Sequence, residues 1–234
     1  MMKIAFILPV YNEEKDLKKG VLKLYNYLVS NKIKSWKIII ADNASTDKTP
    51  EIGKQLAKNY TNVFYFYLPI KGRGYALRKT YNSFNAKIYF YMDIDLSTDL
   101  NHIKEVLNEM NYNDIVIGTR LSKNSKVERS LFRELISRTY NLIARFLTKT
   151  KVSDLQCGFK AINNKIIEEV IPLVKDNNWF FDSEMLIIAE KRGYKIKEIP
   201  IKWTDDPYSK VKILETSLNY LKNLLRLRNF ITKM

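Results

Sequence analysis

The first half of this chain alternates short apolar runs with segments of helical periodicity. Runs rich in β-branched and aromatic residues predict five strands, at Lys3–Leu8, Trp36–Ala41, Val63–Leu68, Lys87–Met92 and Ile115–Ile117. Between them, the residue pattern predicts helices that end near Ser30, Asn59 and Phe84. Alternation at this spacing predicts an α/β fold whose mostly parallel sheet is covered by helices on both faces.

Polar residues follow three of these predicted strands. Tyr11 and Glu13 come after the first strand, Asp42 closes the second, and Asp93-Ile94-Asp95 follows the fourth. Ligands of open α/β sheets bind beyond the carboxyl ends of the strands, so we expect these residues to line one nucleotide-binding edge. Asp42 suits a hydrogen bond to a base or ribose and also a helix-capping turn, and the two roles are compatible.

Asp93 and Asp95 are the candidate metal ligands. Two carboxylates separated by one residue can converge on one hard cation once the backbone leaves the sheet. Such a cation would bridge the phosphates of a nucleotide-sugar and neutralise the diphosphate leaving group. Ordinary turns are also rich in Asp, but the strongly apolar run before Asp93 favours a metal site.

The segment Lys71-Gly72-Arg73-Gly74 is the second candidate for phosphate binding. Two of the seven glycines of the chain bracket one basic residue, directly before a predicted helix. A helix N-terminus with basic side chains suits phosphate. The alternative is an ordinary glycine-closed turn, since the spacing matches neither a P-loop nor a dinucleotide fingerprint.

The second half of the chain has a different pattern. Helical periodicity covers Arg129–Thr148 and Phe181–Arg192, and Tyr194–Trp203 alternates like a strand. Asp154–Lys160 is predicted to be a compact polar loop of ambiguous role. The chain ends in a predicted amphipathic helix, Val211–Ile231, with a stripe of leucines.

The net charge of +15 is concentrated in two blocks. Residues 120–151 hold nine Lys and Arg against two Glu, and residues 191–234 hold eleven against four acidic residues. Concentrated positive charge indicates a polyanionic partner, either nucleic acid or an anionic membrane surface. A solvated, solubilising surface is the alternative interpretation.

Several classes of protein do not fit the sequence. No run of apolar residues reaches the roughly 18 needed to cross a bilayer, and neither a signal peptide nor an N-terminal anchor is visible. The single cysteine, Cys157, excludes an internal disulfide framework and fits a reducing compartment. Cys157 has no evident partner base, and His102 stands at a predicted helix start, so thiol catalysis is rejected.

The ordered set of motifs resembles the family 2 glycosyltransferases with the GT-A fold, and most closely the dolichyl-phosphate glucose and mannose synthases. The resemblance covers about residues 3–211, and the run Asp93–Thr98 and the ending Trp203-Thr204-x4-Ser209-Lys210 look most like the glucosyl branch. The motifs are Pro9-Val10-Tyr11-Asn12-Glu13, Asp42-Asn43-x-Ser45-x-Asp47, Lys71-Gly72-x-Gly74, Asp93-x-Asp95, Asp154-x-Gln156-x-Gly158-Phe159-Lys160 and Phe181-Asp182-x-Glu184.

This resemblance implies roles for individual residues. It places Pro9, Tyr11, Glu13 and Asp42 at the nucleoside, and Lys71 and Gly72 beside the donor. Asp93 and Asp95 would hold Mg²⁺ or Mn²⁺. Arg120, Arg129, Gln156, Ser209 and Lys210 would bind the acceptor, and Asp154, Gln156 and Asp182 would line the sugar side. Eukaryotic members of the glucosyl branch usually have an N-terminal anchor, which is not visible here, and a Gly where this chain has Tyr208.

The implied activity is the inverting transfer of a hexose, first of all glucose from UDP-glucose, onto dolichyl or polyprenyl phosphate. We expect a catalytic domain at 1–210, with a nucleotide-sugar-binding half at 1–119 and an acceptor-binding half at 120–210. The amphipathic helix at 211–234 would face the membrane. The expected location is cytoplasmic, peripherally associated with the cytoplasmic face of the membrane.

Three alternatives stay open at this point. The donor is also compatible with GDP-mannose, as in a dolichyl-phosphate mannose synthase, or with UDP-N-acetylglucosamine. A GT-A enzyme with a soluble or polysaccharide acceptor would share the donor residues without needing the basic residues for a lipid phosphate. A basic nucleic-acid-binding protein is disfavoured, because the basic blocks avoid the aromatic strands and no recognition motif is present.

Overall fold

The computed structural model describes residues 3–205 and 213–233, which form nine strands and eight α-helices within those ranges. The strands are β1 (Ile4–Val10), β2 (Trp36–Asn43), β3 (Val63–Leu68), β4 (Ile88–Met92), β5 (Ile115–Thr119), β6 (Lys126–Glu128), β7 (Phe159–Asn163), β8 (Ile196–Pro200) and β9 (Lys202–Thr204). The helices are α1 (Leu17–Ser30), α2 (Thr49–Asn59), α3 (Arg73–Ser83), α4 (His102–Glu109), α5 (Leu131–Thr148), α6 (Asn164–Glu169), α7 (Phe181–Lys191) and α8 (Ile213–Ile231).

Seven strands form one sheet in the order β3-β2-β1-β4-β7-β5-β8. All neighbouring pairs are parallel except those of β7, which runs antiparallel to both β4 and β5. The expectation of a mostly parallel α/β sheet is therefore confirmed. The chain moves outward from β1 to β3 and then returns to β4 on the other side of β1. This reversal opens a crevice at the carboxyl ends of β1 and β4, which is where ligands of such sheets bind.

Both faces of the sheet are covered, which explains why its strands are apolar almost throughout. One face packs against α3, α7 and α8, and its core includes Ile7, Tyr91 and Leu186. The opposite face packs against α1 and α4, and its core includes Phe6 and Phe90. Adjacent residues of one strand thus enter different cores, as the two-residue period of a strand requires.

The polar-loop prediction for Asp154–Lys160 is wrong for its last two residues. Phe159 and Lys160 begin β7, which lies fully enclosed between β4 and β5. A lysine in a short central strand goes against its usual surface position, but here its ammonium forms an ion pair with Asp182 at 2.7 Å. The strand was missed because that partner lies on a distant helix.

The predicted strand Tyr194–Trp203 is divided between two sheets. Its first part, β8, pairs with β5, whereas β9 forms a separate two-stranded sheet with β6. The change occurs at Ile201, whose N–H donates to the carbonyl of Thr119 and whose carbonyl accepts from the N–H of Lys126. This crossover carries Trp203 away from the main sheet and towards the loop that follows β4.

The terminal helix α8 packs on the domain through Tyr220, Leu224 and Leu227, which are all buried. Leu221 and Leu225, from the leucine stripe noted in the sequence, face outward. The helix is fastened by Arg226, whose guanidinium lies 2.9 Å from a carboxylate oxygen of Glu184 in α7. Among the described residues, no helix combines the length and the apolar character needed to cross a bilayer.

Candidate functional site

The loops after β1 and β2 are joined into one wall of the crevice. Asn12 adopts a left-handed conformation, φ 54°, in which its N–H donates to Ser45 Oγ at 2.9 Å. Its side-chain oxygen accepts from the N–H of Thr46 at 2.8 Å. The N–H of Glu13 donates to Thr49 Oγ1 at 2.8 Å. The motifs around Tyr11 and Asp42 therefore form one structural unit.

Asp42 at the end of β2 is fully buried and closes the turn that the sequence predicted. One carboxylate oxygen accepts from the N–H of Ser45 at 2.9 Å, and the other accepts from the hydroxyl of Tyr65 at 2.6 Å. Burial, followed by the hydrogen bond to Asp42, raises the pKa of Tyr65 above its usual range. Contact of Asp42 with a base or ribose stays a prediction.

The glycine-containing loop lies against the same wall. The N–H of Gly72 donates to Asn43 Oδ1 at 2.8 Å, and the ammonium of Lys71 lies 3.7 Å from the centre of the Tyr11 ring. A side chain at position 72 would come within 2.6 Å of the carbonyl oxygen of Asn177, so only glycine fits. The structure thus brings together Tyr11 and Lys71, two residues that the sequence assigned to the donor.

Asp93 and Asp95 lie where β4 leaves the sheet, at the crevice. Asp95 is exposed, and one of its carboxylate oxygens accepts from the N–H of Ser97 at 3.0 Å. Oδ1 of Asp93 lies 2.5 Å from Nη2 of Arg73. Although 43% of the Asp93 side chain reaches solvent, the surrounding protein raises the pKa of its carboxyl to about 6, against the opposing effect of Arg73.

A chain of polar contacts lies behind Asp93. Arg73 also donates to the hydroxyl of Tyr91, which in turn donates to Asp182 Oδ2 at 3.1 Å. The other oxygen of Asp182 forms the ion pair with Lys160. Asp182 is thus buried behind the front edge of the crevice, and two of its neighbours, Tyr91 and Lys160, belong to central strands.

On the acceptor side, Arg120 and Asp154 form a bidentate pair. Nε and Nη2 of Arg120 each lie 2.8 Å from an oxygen of Asp154, and the Arg120 N–H donates to the same carboxylate at 3.0 Å. The N–H of Gln156 donates to Asp154 at 3.3 Å. Arg129 pairs with Glu134 near the start of α5. Ser209 and Lys210 lie outside the described residues.

A small pocket lies beside the two candidate metal ligands. It is lined by residues of the loop after β4, by the start of β7 and by β9, including Asp93, Asp95, Ser97, Gly158 and Trp203. The Trp203 ring lies 5.5 Å from the guanidinium of Arg120. The candidate acceptor arginine therefore contacts a residue that forms part of the pocket wall.

The described residues contain no group of three or more His, Cys, Asp or Glu side chains that would hold a metal by themselves. Two carboxylates that face an open pocket suit a cation which takes its remaining ligands from substrate phosphates and water, as Mg²⁺ commonly does. Cys157 is buried, and burial raises the pKa of its thiol to about 12, which agrees with its exclusion as a nucleophile.

The family model for glycosyl transferase family 2 matches residues 5–171, well over half of the chain. The chain belongs to glycosyl transferase family 2. It is 31% identical over 221 residues to dolichyl-phosphate beta-glucosyltransferase ALG5A of Trichomonas vaginalis, covering 90% of this chain and 68% of that protein. It is 24% identical over 246 residues to the dolichyl-phosphate beta-glucosyltransferase of Saccharomyces cerevisiae, covering 96% and 74%.

A third relative is much longer than this chain. Glycosyltransferase AglD of Haloferax volcanii is 29% identical over 232 residues, which make up 96% of this chain but 37% of AglD. Among solved structures, glucosyl-3-phosphoglycerate synthase from Mycobacterium tuberculosis, in complex with Mn²⁺, uridine-diphosphate and phosphoglyceric acid, superposes with a TM-score of 0.73 at 15% identity. That superposition covers 97% of this chain and 78% of the other, and it shows a shared fold.

These findings confirm the predicted family, the GT-A fold and the assignment as a glycosyltransferase. The roles of individual residues stay predictions. Three residues that the sequence did not single out lie together beside Asp93, namely Arg73, which pairs with Asp93, and Tyr91 and Trp179, which both contact the Arg73 guanidinium. Arg73 was visible inside its glycine loop, and Trp179 stands two residues before the Phe181-Asp182 motif. A polar role of Tyr91 could not be predicted from the sequence, because Tyr91 lies in an apolar strand that is typical of a protein core.

Proposed function

We propose that the protein transfers glucose from UDP-glucose to dolichyl or polyprenyl phosphate, with inversion at the anomeric carbon. The observation that carries the proposal is the pocket lined by Asp93, Asp95 and Trp203, since it offers two metal ligands and since the Arg120 guanidinium lies 5.5 Å from the Trp203 ring that forms part of its wall. The names of the relatives in Trichomonas and Saccharomyces support this lipid acceptor and this sugar. GDP-mannose is the second donor to test.

The donor side would use a divalent cation held by Asp93 and Asp95. Bound there with the nucleotide diphosphate, Mg²⁺ or Mn²⁺ neutralises the charge that develops on the leaving group. The Mn²⁺ and uridine-diphosphate in the mycobacterial structure of the same fold support this choice. Tyr11, Lys71 and the wall built by Asp42 would hold the nucleoside and phosphates.

The acceptor side needs orientation more than a strong base. A phosphate monoester carries about −1.5 to −2 charges at neutral pH and is itself a nucleophile. Its oxygen would attack the anomeric carbon while the bond to the diphosphate breaks and the nucleoside diphosphate leaves. Asp154 fixes the guanidinium plane of Arg120, so that the arginine can offer its remaining N–H groups without reorganisation. Ser209 and Lys210 are proposed to complete the phosphate site.

Helix α5 supports a membrane-bound acceptor because it buries mostly polar residues and exposes its large apolar ones. Its buried residues are Ser137, Asn141, Ala144 and Thr148, three of which are polar. Its large apolar side chains point outward instead, with Leu131 89% and Phe146 83% exposed. A helix that packs only on its own domain buries the opposite face.

Helix α8 extends this apolar surface. Leu221 and Leu225 form a groove with Leu142, Ile143, Phe146 and Leu147 of α5. Arg138 and Arg145 of α5 and Lys222, Arg226 and Arg228 of α8 belong to the two basic blocks. Apolar side chains beside Lys and Arg suit insertion at the headgroup level of an anionic membrane. We therefore propose an anionic lipid surface as the occupant, with residues 1–119 serving the donor, 120–210 the acceptor and 211–234 the membrane.

We place this membrane contact at the cytoplasmic face. The single cysteine is a free, buried thiol, which fits a reducing compartment.

The transfer reaction is tested with radiolabelled UDP-glucose, GDP-mannose or UDP-N-acetylglucosamine, dolichyl phosphate in detergent, and Mg²⁺ or Mn²⁺. We expect label from UDP-glucose to enter the organic phase and a chelator to abolish the transfer. Asp95→Asn should lose most of the activity, because a neutral amide is a weaker metal ligand, whereas Asp16→Asn removes an exposed carboxylate just before α1 and serves as the control. Metal-dependent hydrolysis of the donor without label in the lipid would reject the lipid acceptor.

Membrane binding is tested by sedimentation with anionic liposomes. Replacing both Leu142 and Phe146 by Ser should weaken binding by about tenfold or more, because two exposed apolar anchors are lost. Tyr112→Ser is the matched control, since Tyr112 is also exposed but lies far along the chain from α5 and α8. Equal sedimentation of the double variant and the wild type would reject this surface while leaving the donor chemistry untouched.

A further inference from the structure

Asp93 is already engaged by a cation that belongs to the protein. Nη2 of Arg73 lies 2.5 Å from Asp93 Oδ1, within the distance of a charge-assisted hydrogen bond. A divalent metal at the same carboxylate would have to share this oxygen with the guanidinium or displace it. Arg73 therefore competes with a divalent metal for the carboxylate of Asp93.

The guanidinium is held in this position from several sides. Its central carbon lies 4.5 Å from the centre of the Trp179 ring and 5.1 Å from that of Tyr91, so the guanidinium contacts two aromatic rings. Only 14% of the Arg73 side chain is exposed. Burial alone would lower the pKa of Arg73, but Asp93 and then Tyr91 raise it above its ordinary value, so the side chain stays charged.

The second oxygen of the Asp93 carboxylate lies close to the backbone at Gly158. A Cβ atom placed on Gly158 would lie 2.0 Å from Asp93 Oδ2, so the β7 side of the crevice is pressed against the second oxygen. The same Cβ atom would lie 3.2 Å from Nη2 of Arg73. Asp93, Arg73 and the backbone at Gly158 thus form one tight cluster.

The guanidinium of Arg73 also lies at a place that suits an anionic ligand. Arg73 is the first residue of α3, where N–H groups and the helix dipole favour negative charge. The neighbouring Lys71 lies over Tyr11 on the donor wall. A diphosphate arriving at this point offers the guanidinium a second anionic partner besides Asp93.

We propose that Arg73 is a positioning residue that holds Asp93 as a counter-ion while the donor is absent and exchanges it for the diphosphate of the incoming nucleotide. Asp93 then becomes free to bind the divalent cation, so metal and nucleotide each raise the affinity for the other. This inference rests on the proposed use of a metal and a nucleotide-sugar. It adds that neither the divalent cation nor the nucleotide binds tightly without the other.

The test measures Mn²⁺ binding by electron paramagnetic resonance and UDP binding by calorimetry, each with and without the other ligand. For the wild type we expect weak Mn²⁺ binding that UDP strengthens by about tenfold or more, and by linkage Mn²⁺ must strengthen UDP binding equally. Arg73→Met should bind Mn²⁺ without UDP about tenfold more tightly than the wild type, since one charge-assisted hydrogen bond no longer competes. The same variant should bind UDP more weakly and show a smaller coupling between Mn²⁺ and UDP than the wild type.

Two further variants make the result specific. Arg73→Lys keeps the charge and should keep Mn²⁺ binding weak. Lys79→Met removes one positive charge from an exposed position on the same helix and should behave as the wild type. Wild-type Mn²⁺ binding that is equally tight with and without UDP would overturn the inference, as would a folded Arg73→Met with unchanged Mn²⁺ affinity. Where Arg73→Met does not fold, wild-type Mn²⁺ binding that is tight without UDP still overturns the inference. Failure of sugar transfer despite coupled Mn²⁺ and UDP binding would instead count against the proposed function alone.

Discussion

At the scale of single residues, the site depends on close approaches between segments that are distant in the sequence. Gly158 belongs to the motif Asp154–Lys160, whose purpose the sequence alone left ambiguous. In the structure its bare backbone touches the carboxylate of Asp93, sixty-odd residues earlier in the chain. A glycine is thus the residue that the space beside Asp93 allows, and its motif reaches the candidate metal ligands as well as the proposed acceptor side.

Gly158→Ala tests this contact. The added methyl group would overlap Asp93 Oδ2, so Asp93 must shift, and a displacement of about 1 Å at a catalytic site costs roughly a hundredfold in rate. We expect sugar transfer to fall by about that factor while the protein still folds. Gly193→Ala is the control: its φ of 82° makes alanine unfavourable, but no atom lies within 4 Å of the new methyl group. It should lower the stability and leave the activity of the folded protein intact.

At the scale of elements, α5 and α8 are both amphipathic, but they use their apolar faces differently. In α5 the large apolar residues are mostly exposed, whereas α8 divides its leucines between the core and the surface. The sequence pattern showed that each helix has an apolar stripe. Which neighbour covers that stripe depends on the tertiary structure and cannot be predicted from the hydrophobic period alone.

The division within α8 is tested by a pair of matched substitutions. Leu224 is buried, so Leu224→Ala should lower the free energy of unfolding by about 2–5 kcal/mol through lost contacts and a cavity. Leu221 is 44% exposed, and Leu221→Ala should change it by no more than about 0.5 kcal/mol. Urea denaturation measures both. Equal, small effects would show that α8 contributes little to the stability of the domain.

The elements also show what the sequence can and cannot predict. The strands β1 to β4 were predicted close to their observed limits, because each is a continuous apolar run. Strands β1, β2 and β4 are buried on both faces, whereas the edge strand β3 exposes Phe64 and Tyr67. Strand β7 was missed, since Lys160 becomes tolerable in a central strand only through Asp182. In the site, Asp93, Asp95 and Lys71 were found from their positions after strands and in the glycine loop. The pairings of Arg73 and Arg120 were not, because they join segments that only the folded sheet brings together.

At the scale of the whole molecule, one buried ion pair and neighbouring hydrogen bonds fasten the proposed acceptor side to the central sheet. Glu198 of β8 accepts from the backbone and hydroxyl of Ser153, and Asp154 beside it binds Arg120 at the end of β5. Asp154 is fully buried, and its neighbour Arg120 is nearly so. Removing one partner of such a pair leaves an uncompensated charge, which is far more costly than losing a pair at the surface.

The charge of Asp154 therefore makes the stability of the fold depend on pH. Burial by itself would raise the pKa of this carboxyl, but Arg120 and the N–H donors lower it below its ordinary value. A lowered pKa stabilises the folded state above the unfolded pKa of about 4, and this contribution is lost as pH falls through the lower pKa of the folded state.

Asp154→Asn should lower the free energy of unfolding by about 3–5 kcal/mol near neutral pH, since Arg120 is left without its counter-ion. The difference from the wild type should shrink as the solution is acidified below about pH 4, because the wild type then protonates Asp154 and loses the same pair. Urea denaturation of both proteins across that range measures the difference, with the exposed Asp16→Asn as control for the general effect of one carboxylate. If the difference were the same at neutral and acidic pH, the ionised pair would not be what fastens the acceptor side, and the hydrogen bonds that the Asp154 oxygens accept would have to account for the loss.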